Sequence, residues 1–289
     1  MITARLLGNW SVRIGASVLA LLVLVALAAP LLGTVDPSLF DAGSRDLLPG
    51  KSGEILTLEG ETVEHTFRMG SDSFGRDIYS RVIYGTRVSL IVGLATALVA
   101  LAIGIVCGLG AGYIRWLDGI LMRFMDGIMA IPAILIAIAL VALWRGSIAT
   151  VVMAIAIPEI PRVTRLVRSL VLTIREEPYV EAAIALGTPT WKIMFGHILP
   201  NCVAPLIVQG TFICASGILV EAILSFLGVG LPPDIPTWGN IMAEGRAQFV
   251  SLPHNVFFPG VFLAVTVLAV NILGDGLRDT LDPKMAKRV

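Results

Sequence analysis

The stretch Ile148-Ala149-Thr150-Val151-Val152-Met153-Ala154-Ile155-Ala156-Ile157-Pro158-Glu159-Ile160 decides the topology of this chain. It is apolar up to Pro158, but it holds only 13 residues. At 1.5 Å of rise per residue, a helix of that length reaches roughly 20 Å. A hydrocarbon core of ~30 Å needs about 20 apolar residues. Five other runs meet or approach that length: Ile14–Leu32, Val88–Tyr113, Ile120–Trp144, Val203–Leu227 and Val256–Leu273. If the short run also crosses, there are six spans and both termini share one side.

The basic residues favour that reading, because Lys and Arg concentrate on the cytoplasmic side of membrane proteins. With six spans, that side holds Arg5, Arg13, Arg115, Arg123, Arg162, Arg165, Arg168, Arg175, Lys192, Arg278, Lys284, Lys287 and Arg288, which is 13 of 21. The outer side holds Arg45, Lys51, Arg68, Arg76, Arg81, Arg87, Arg145 and Arg246. Six of these eight lie in one long loop, and long loops translocate largely regardless of charge. Without the short span, Arg162 to Lys192 would lie outside and the bias would reverse. The run is therefore expected to cross, extended by Pro161–Val163, with its polar end shielded by neighbouring helices.

Composition agrees. The 289 residues are 56% hydrophobic and 15% charged, with mean hydropathy +0.87. Such a chain cannot cover its own surface with polar groups, which argues against a soluble enzyme. Twenty-one basic residues balance 21 acidic ones, leaving no excess charge for nucleic-acid phosphates. Cys107, Cys202 and Cys214 lie in or beside apolar runs, where packing is their expected role.

The expected fold is an all-α membrane protein with both termini cytoplasmic. Residues 1–33 form an N-terminal segment with a retained first helix, since no small-x-small cleavage site follows Ala28-Ala29-Pro30. Residues 34–87 form a long outer loop. Residues 88–289 form a core with five spans. Within the outer loop, Glu54–Leu58 and Thr62–Phe67 flank Glu59-Gly60-Glu61, two β-prone runs around a turn that read as a small β-hairpin. Isolated hairpins are marginal, so this one is expected to pack as an ordered flap.

Familiar chemistry is missing. No G-x-x-x-x-G-K-[ST] loop is present to cradle phosphates, and no G-x-S-x-G or H-E-x-x-H motif occurs. In the six-span topology His65, His197 and His254 lie on different sides of the membrane and cannot share one metal. Transport, channel and scaffold functions remain.

The polar stretch Arg162–Pro200 is the most informative. Glu176-Glu177-Pro178 starts a helix well, with acids at the positive end of the dipole and Pro in the first turn. Gly187 is a natural C-terminal cap. Thr188-Pro189 is expected to start a second helix, with Thr188 as N-cap, ending near Pro200. Two short helices at a bend make either a docking knob or an ordinary cytoplasmic loop, and spacing alone does not choose between them.

The residues themselves carry a resemblance. Glu181-Ala182-Ala183-x-x-x-Gly187 followed by Leu199-Pro200 resembles the EAA loop of ABC-importer permeases. His197-Ile198-Leu199-Pro200-Asn201 resembles the form found in the dipeptide/oligopeptide/nickel subfamily. Gly70-Ser71-Asp72-Ser73-Phe74-Gly75-Arg76-Asp77, Tyr84-Gly85-Thr86-Arg87-Val88-Ser89-Leu90, Leu224–Gly230, Trp238-Gly239-Asn240 and Gly274–Pro283 also resemble it. The likeness covers roughly 70–283. Ser71 departs from the usual Thr, and Phe67-Arg68-Met69 stands where His-Pro-Leu is common.

The resemblance implies one of two paired permease subunits in the cell (inner) membrane. Each would dock one of two cytoplasmic ATPases, and a periplasmic or lipid-anchored binding protein would deliver substrate. It implies that Glu181, Ala182, Ala183, Gly187, His197, Leu199 and Pro200, in a loop at about 176–200, form the coupling surface. It also implies no catalysis and no cofactor in this chain, with ATP and Mg bound by the partner subunits. Di- and oligopeptides are the expected cargo. Nickel or another small solute is the alternative, and a channel or scaffold without ATP coupling is the reading from another class. Asp126, Glu159 and Glu221 are polar residues inside apolar runs, in either helix-packing roles or the translocation path. Arg123, three residues before Asp126, is its expected partner. Arg162, Arg165 and Arg168 share one helix side and read as a cytoplasmic anchor. The break expected at Pro158 and Pro161 is a hinge candidate.

Overall fold

Asn9 begins the first helix, α1 (Trp10–Leu27), by accepting a hydrogen bond from the Ser11 amide at 2.8 Å. In this computed structural model, residues 8–57, 60–144 and 146–281 are described. Leu58, Glu59, Arg5, Arg145, Lys284, Lys287, Arg288 and the Asp282-Pro283 pair lie outside them. After α1 the chain turns at Pro30 and enters the long loop. There β1 (Lys51–Leu56) pairs antiparallel with β2 (Thr62–Phe67), Lys51 opposite Phe67 and Leu56 opposite Thr62. The hairpin read from the sequence is present, with its first strand starting earlier, at Lys51. Ile55 and Phe67 are buried, so it packs onto the loop beneath.

Helix α2 (Ile78–Tyr113) starts well before the apolar run at Val88. Asp77 caps it, accepting from the Ser80 amide at 2.8 Å. The run Ile120–Trp144 is not one span-like rod. It divides into α3 (Arg115–Met129) and α4 (Ala133–Leu143), bent by 86°. Pro132 causes the break: it has no amide hydrogen, and it disfavours helical backbone at Ile131.

The decisive short run lies inside a longer helix, α5 (Ile148–Ile174), of 27 residues or about 40 Å. It remains one helix through Pro158 and Pro161, so the expected break there is absent. The bend lies at Pro132 instead. Next come α6 (Pro178–Ala185), α7 (Thr190–Phe226), α8 (Trp238–Gly245) and α9 (His254–Leu281). Among the described residues, α1, α2, α7 and α9 are long and apolar enough to cross a membrane, and the bent α3–α4 pair makes up to five. Helix α5 has the length, but Glu159, Arg162, Arg165 and Arg168 dilute its apolar character.

Small residues let the helices approach. A Cβ on Gly104, Gly108 or Gly112 of α2 would stand 2.5, 2.5 or 2.6 Å from the Cβ of Val163, Val167 or Val171 of α5. This row, repeating every four residues, is the small-residue seam that close helix contact in lipid requires. Gly93 packs on Ile218 of α7, and Gly15 of α1 packs on the α9 backbone at Leu273. Leu21, Leu94, Leu98, Val106 and Leu219 on these helices are exposed on the surface of the chain.

Candidate coupling site and a second ion-pair cluster

The knob at 178–200 is built by two turns anchored in the main core. Pro178 opens α6 after Glu177. The helix ends at Gly187, whose φ is 75°. The Gly187 amide donates to the Ile184 carbonyl at 2.9 Å, and the Thr188 amide to the Ala183 carbonyl at 3.0 Å. These two bonds are a Schellman cap, which glycine makes without a Cβ penalty. The next helix starts at Thr190, one residue later than the sequence suggested, with Pro189 rather than Thr188 at its N-cap. It does not stop at Pro200. A π-helical turn, Met194–Ile198, carries it into the long apolar part of α7. The wider turn accommodates the hydrogen bond that Pro200 cannot donate.

Val180, Ile193 and Ile198 are buried in the cluster that also holds Val163, Val167 and Val171. The knob is thus fastened to the α2–α5 seam. Glu181, Ala182, Gly187 and Pro200 are exposed, His197 and Leu199 are half-buried, and Ala183 faces inward. Glu181 makes no ion pair among the described residues. The Asn201 amide group donates to the Tyr179 hydroxyl at 3.1 Å and to the His197 carbonyl at 2.6 Å, tying the two halves together. Burial pushes the Tyr179 phenol up, and the Glu177 carboxylate adds to the shift.

The knob also carries apolar side chains that the sequence reading did not single out. Leu186 is 85% exposed, and Ile184, Trp191 and Phe195 are exposed beside it. Their signal was legible: large apolar residues within a loop expected outside the lipid. Such a patch on a rigid, capped base suits a protein partner.

The three polar candidates are dispersed. Asp126 lies on α3, exposed, and pairs with Arg165 of α5 at 2.6 Å rather than with Arg123. The bend at Pro132 turns α3 so that its acidic side meets α5 instead of running on into α4. Arg168 pairs with Asp118 of α3 at 2.5 and 2.7 Å. Glu159 pairs with Arg162 at 3.0 Å on its own helix. The arginines at 162, 165 and 168 thus form a ladder of ion pairs, and two of its rungs latch α3 to α5. Glu221 is fully buried and accepts from the Ser225 hydroxyl at 2.8 Å.

A second constellation lies at the other end of α2. Asp72 accepts from the Phe74 and Arg76 amides at 2.9 and 3.0 Å, closing a tight turn. Gly75, at φ 83°, passes so close to Asp41 that a Cβ would meet the Asp41 carbonyl oxygen at 1.8 Å. Arg76 pairs with Asp72 at 2.7 Å and Glu244 at 2.5 Å, and Arg81 pairs with the same two acids at 2.8 and 2.6 Å. Arg81 is 1% exposed and also donates to the Pro233 carbonyl at 3.2 Å. The motif Gly70–Asp77 is therefore a turn, a close approach, an ion-pair donor and a helix cap in succession. Glu244 and Arg81 were not foreseen, because nothing in the sequence brings α8 to α2. Among the described residues no group of three or more His, Cys, Asp or Glu is arranged to hold a metal.

Comparison with known proteins places this geometry. The family model described as "Binding-protein-dependent transport system inner membrane component" matches residues 100–287. The chain is 48% identical over 277 residues to a probable peptide ABC transporter permease protein of Sinorhizobium fredii, covering 96% of this chain and 90% of the relative. It is 42% identical over 273 residues to a dipeptide transport system permease protein of Alkalihalophilus pseudofirmus, covering 94% and 85%. A glutathione transport system permease protein of Pectobacterium atrosepticum is 45% identical over 228 residues, covering 78% and 75%. The fold is similar to a chain of the inward-facing MetNI methionine ABC transporter, with TM-score 0.57 and 16% identity over 71% of this chain and 98% of that one.

Proposed function

The chain belongs to the family of binding-protein-dependent transport system inner membrane components and is a permease subunit of an ABC importer; from that premise we propose that it carries di- and oligopeptides across the cell (inner) membrane by alternating access. The names of its relatives, peptide, dipeptide and glutathione permeases, support a peptide cargo. Six spans place both termini in the cytoplasm, with α5 as the sixth. The Lys/Arg bias and the length of α5 support this.

A second permease subunit pairs with this one, and two ATPases bind ATP and Mg on the cytoplasmic side. A binding protein delivers peptide from outside. This chain performs no catalysis and needs no cofactor of its own. ATPase closure reaches the membrane through the knob, where Glu181, Ala182, Gly187 and Pro200 meet the ATPase and Ala183, His197 and Leu199 shape the contact. The observation that carries this is the exposed apolar patch around Leu186 on a base fastened to the α2–α5 seam. A push on the knob then moves α5 and α7 together. Asp126 serves helix packing, supported by its pairing with Arg165 of α5, and Glu159 and Glu221 are answered within their own helices rather than by substrate.

The test is Glu181→Lys in the reconstituted complex. Membrane insertion should be normal while peptide uptake is lost and ATP hydrolysis no longer responds to peptide. Unchanged uptake with unchanged coupling would remove the docking role. Native mass spectrometry of the ligand held by the partner binding protein tests the cargo.

A further inference from the structure

Asn271, Asp275 and Arg278 follow one another at intervals of four and three residues, so they share one face of α9. All three are exposed, on a helix apolar enough to cross a membrane. With Gln209, Thr211 and Phe212 of α7 they line a cavity of about 300 Å³ between the two helices. The helices touch closely there, since a Cβ on Gly274 would collide with the Thr211 hydroxyl. Gln209, Asn271, Asp275 and Arg278 make no side-chain hydrogen bond or ion pair among the described residues. The cavity therefore presents one carboxylate, one guanidinium and two amides, none of them answered within the chain.

Depth along the helices separates a lipid site from an internal route. Arg278 lies beyond the apolar run that ends at Leu273, at a level that a lipid headgroup would reach. Asn271 lies seven residues back, about 10 Å deeper, inside that run. Gln209 likewise stands within the apolar run of α7, ten residues or about 15 Å past Leu199 of the knob. Lipid tails offer no hydrogen bond to an amide. Polar side chains at such depth face a bundle interior or a water-filled cavity and mark the path of a polar solute. Gly276, which packs on Val12 of α1, lies on another side of α9, so the first helix does not cover this stripe.

We infer that this cavity is a peptide-binding station in the inner half of the translocation path, where Asp275 takes the ammonium and Arg278 the carboxylate of a short zwitterionic peptide. Side chains three apart on a helix have Cβ atoms about 5–6 Å from each other. The two Cα atoms of a dipeptide are about 3.8 Å apart, so both of its termini come within reach of the pair. Gln209 and Asn271 hydrogen-bond the peptide unit, and the exposed ring of Phe212 meets apolar cargo side chains. The volume is at the lower end of the roughly 300–1,000 Å³ of sites that hold small ligands. The inference deepens the importer reading above and rests on it.

The experiment uses the complete complex in proteoliposomes, with its binding protein, and follows uptake of a radiolabelled dipeptide. Asp275→Asn and Arg278→Gln should each lower the maximal uptake rate by about tenfold or more, the worth of a hydrogen bond to a charged group. The half-saturating concentration of loaded binding protein should stay the same. The thermal midpoint should not move, because neither side chain holds a partner among the described residues. The exchanged pair Asp275→Arg/Arg278→Asp keeps one charge of each sign and should restore uptake above either single variant. A benzoylphenylalanine in place of Phe212 should cross-link under light to labelled dipeptide during turnover. Wild-type uptake in both single variants would overturn the site. So would an exchanged pair no better than the singles, or cross-links found only to lipid or to the second permease subunit. A wild-type complex that takes up no dipeptide would overturn the peptide cargo itself, and the site with it.

Discussion

Gly108 of α2 and Val167 of α5 are so close that a Cβ on the glycine would stand 2.5 Å from the valine Cβ. The same contact recurs one turn away on each side, at Gly104–Val163 and Gly112–Val171. This seam holds the charged helix α5 against the most apolar part of the protein, and the knob is fastened to the same cluster.

Replacing Gly108 by leucine forces the two helices apart. Overpacking of this kind costs about 1–3 kcal/mol, and here it also displaces the base of the knob. A lower thermal midpoint in detergent is expected, with weaker coupling of ATP hydrolysis to uptake. Gly119→Leu is the control, because a Cβ there meets nothing within 4 Å. Equal stability of the two variants would show that the seam is not tight.

Arg81 should be far more sensitive than its neighbours in sequence. It is buried between Asp72 and Glu244. Removing one partner of a buried ionic cluster leaves charge uncompensated, at a cost of about 3–5 kcal/mol. Arg81→Ala is expected to lower both yield and thermal midpoint sharply. Arg81→Lys keeps the charge but loses the fork that reaches both acids and the Pro233 carbonyl, so it should fall between. A stable Arg81→Ala protein would mean that the network contributes little.

Gly187 is positive in φ but has open space around it, so its conformation and not its size is what matters inside this chain. A β-branched residue in left-handed backbone is strained by about 1–2 kcal/mol or more, and asparagine tolerates it better. Gly187→Val should therefore loosen the Schellman cap and reduce peptide-dependent ATP hydrolysis, with insertion unaffected. Gly187→Asn should retain most of it. Equal loss in both variants would point to a steric contact with the ATPase rather than to the cap.

Much of this was readable in the linear sequence because the signals are local. Glu177-Pro178 and Gly187 mark a helix start and stop, and the alternation around Gly60 marks the hairpin. Asp77 and Asn9 cap helices too, local signals that the sequence reading did not single out. The errors were also local readings that distant packing overrode. Pro158 and Pro161 looked like a break, but α5 is continuous along the glycine face of α2. Pro200 looked like a stop, but a π-helical turn absorbs it. Asp126 lay one turn from Arg123, but the bend at Pro132 presents it to Arg165.

The sequence by itself determined that this is a multi-pass helical membrane protein with two short capped helices near residues 176–200. Apolar run length, charge bias and capping chemistry act within a few residues, and they need no partner to be read. Only the tertiary structure decided which glycines face which valines, that Arg76 and Arg81 share Asp72 with Glu244, and that Gln209, Asn271, Asp275 and Arg278 line one cavity. Those relationships join residues far apart in the chain. They depend on how closely the helices approach, a distance set by packing in three dimensions and by no single segment.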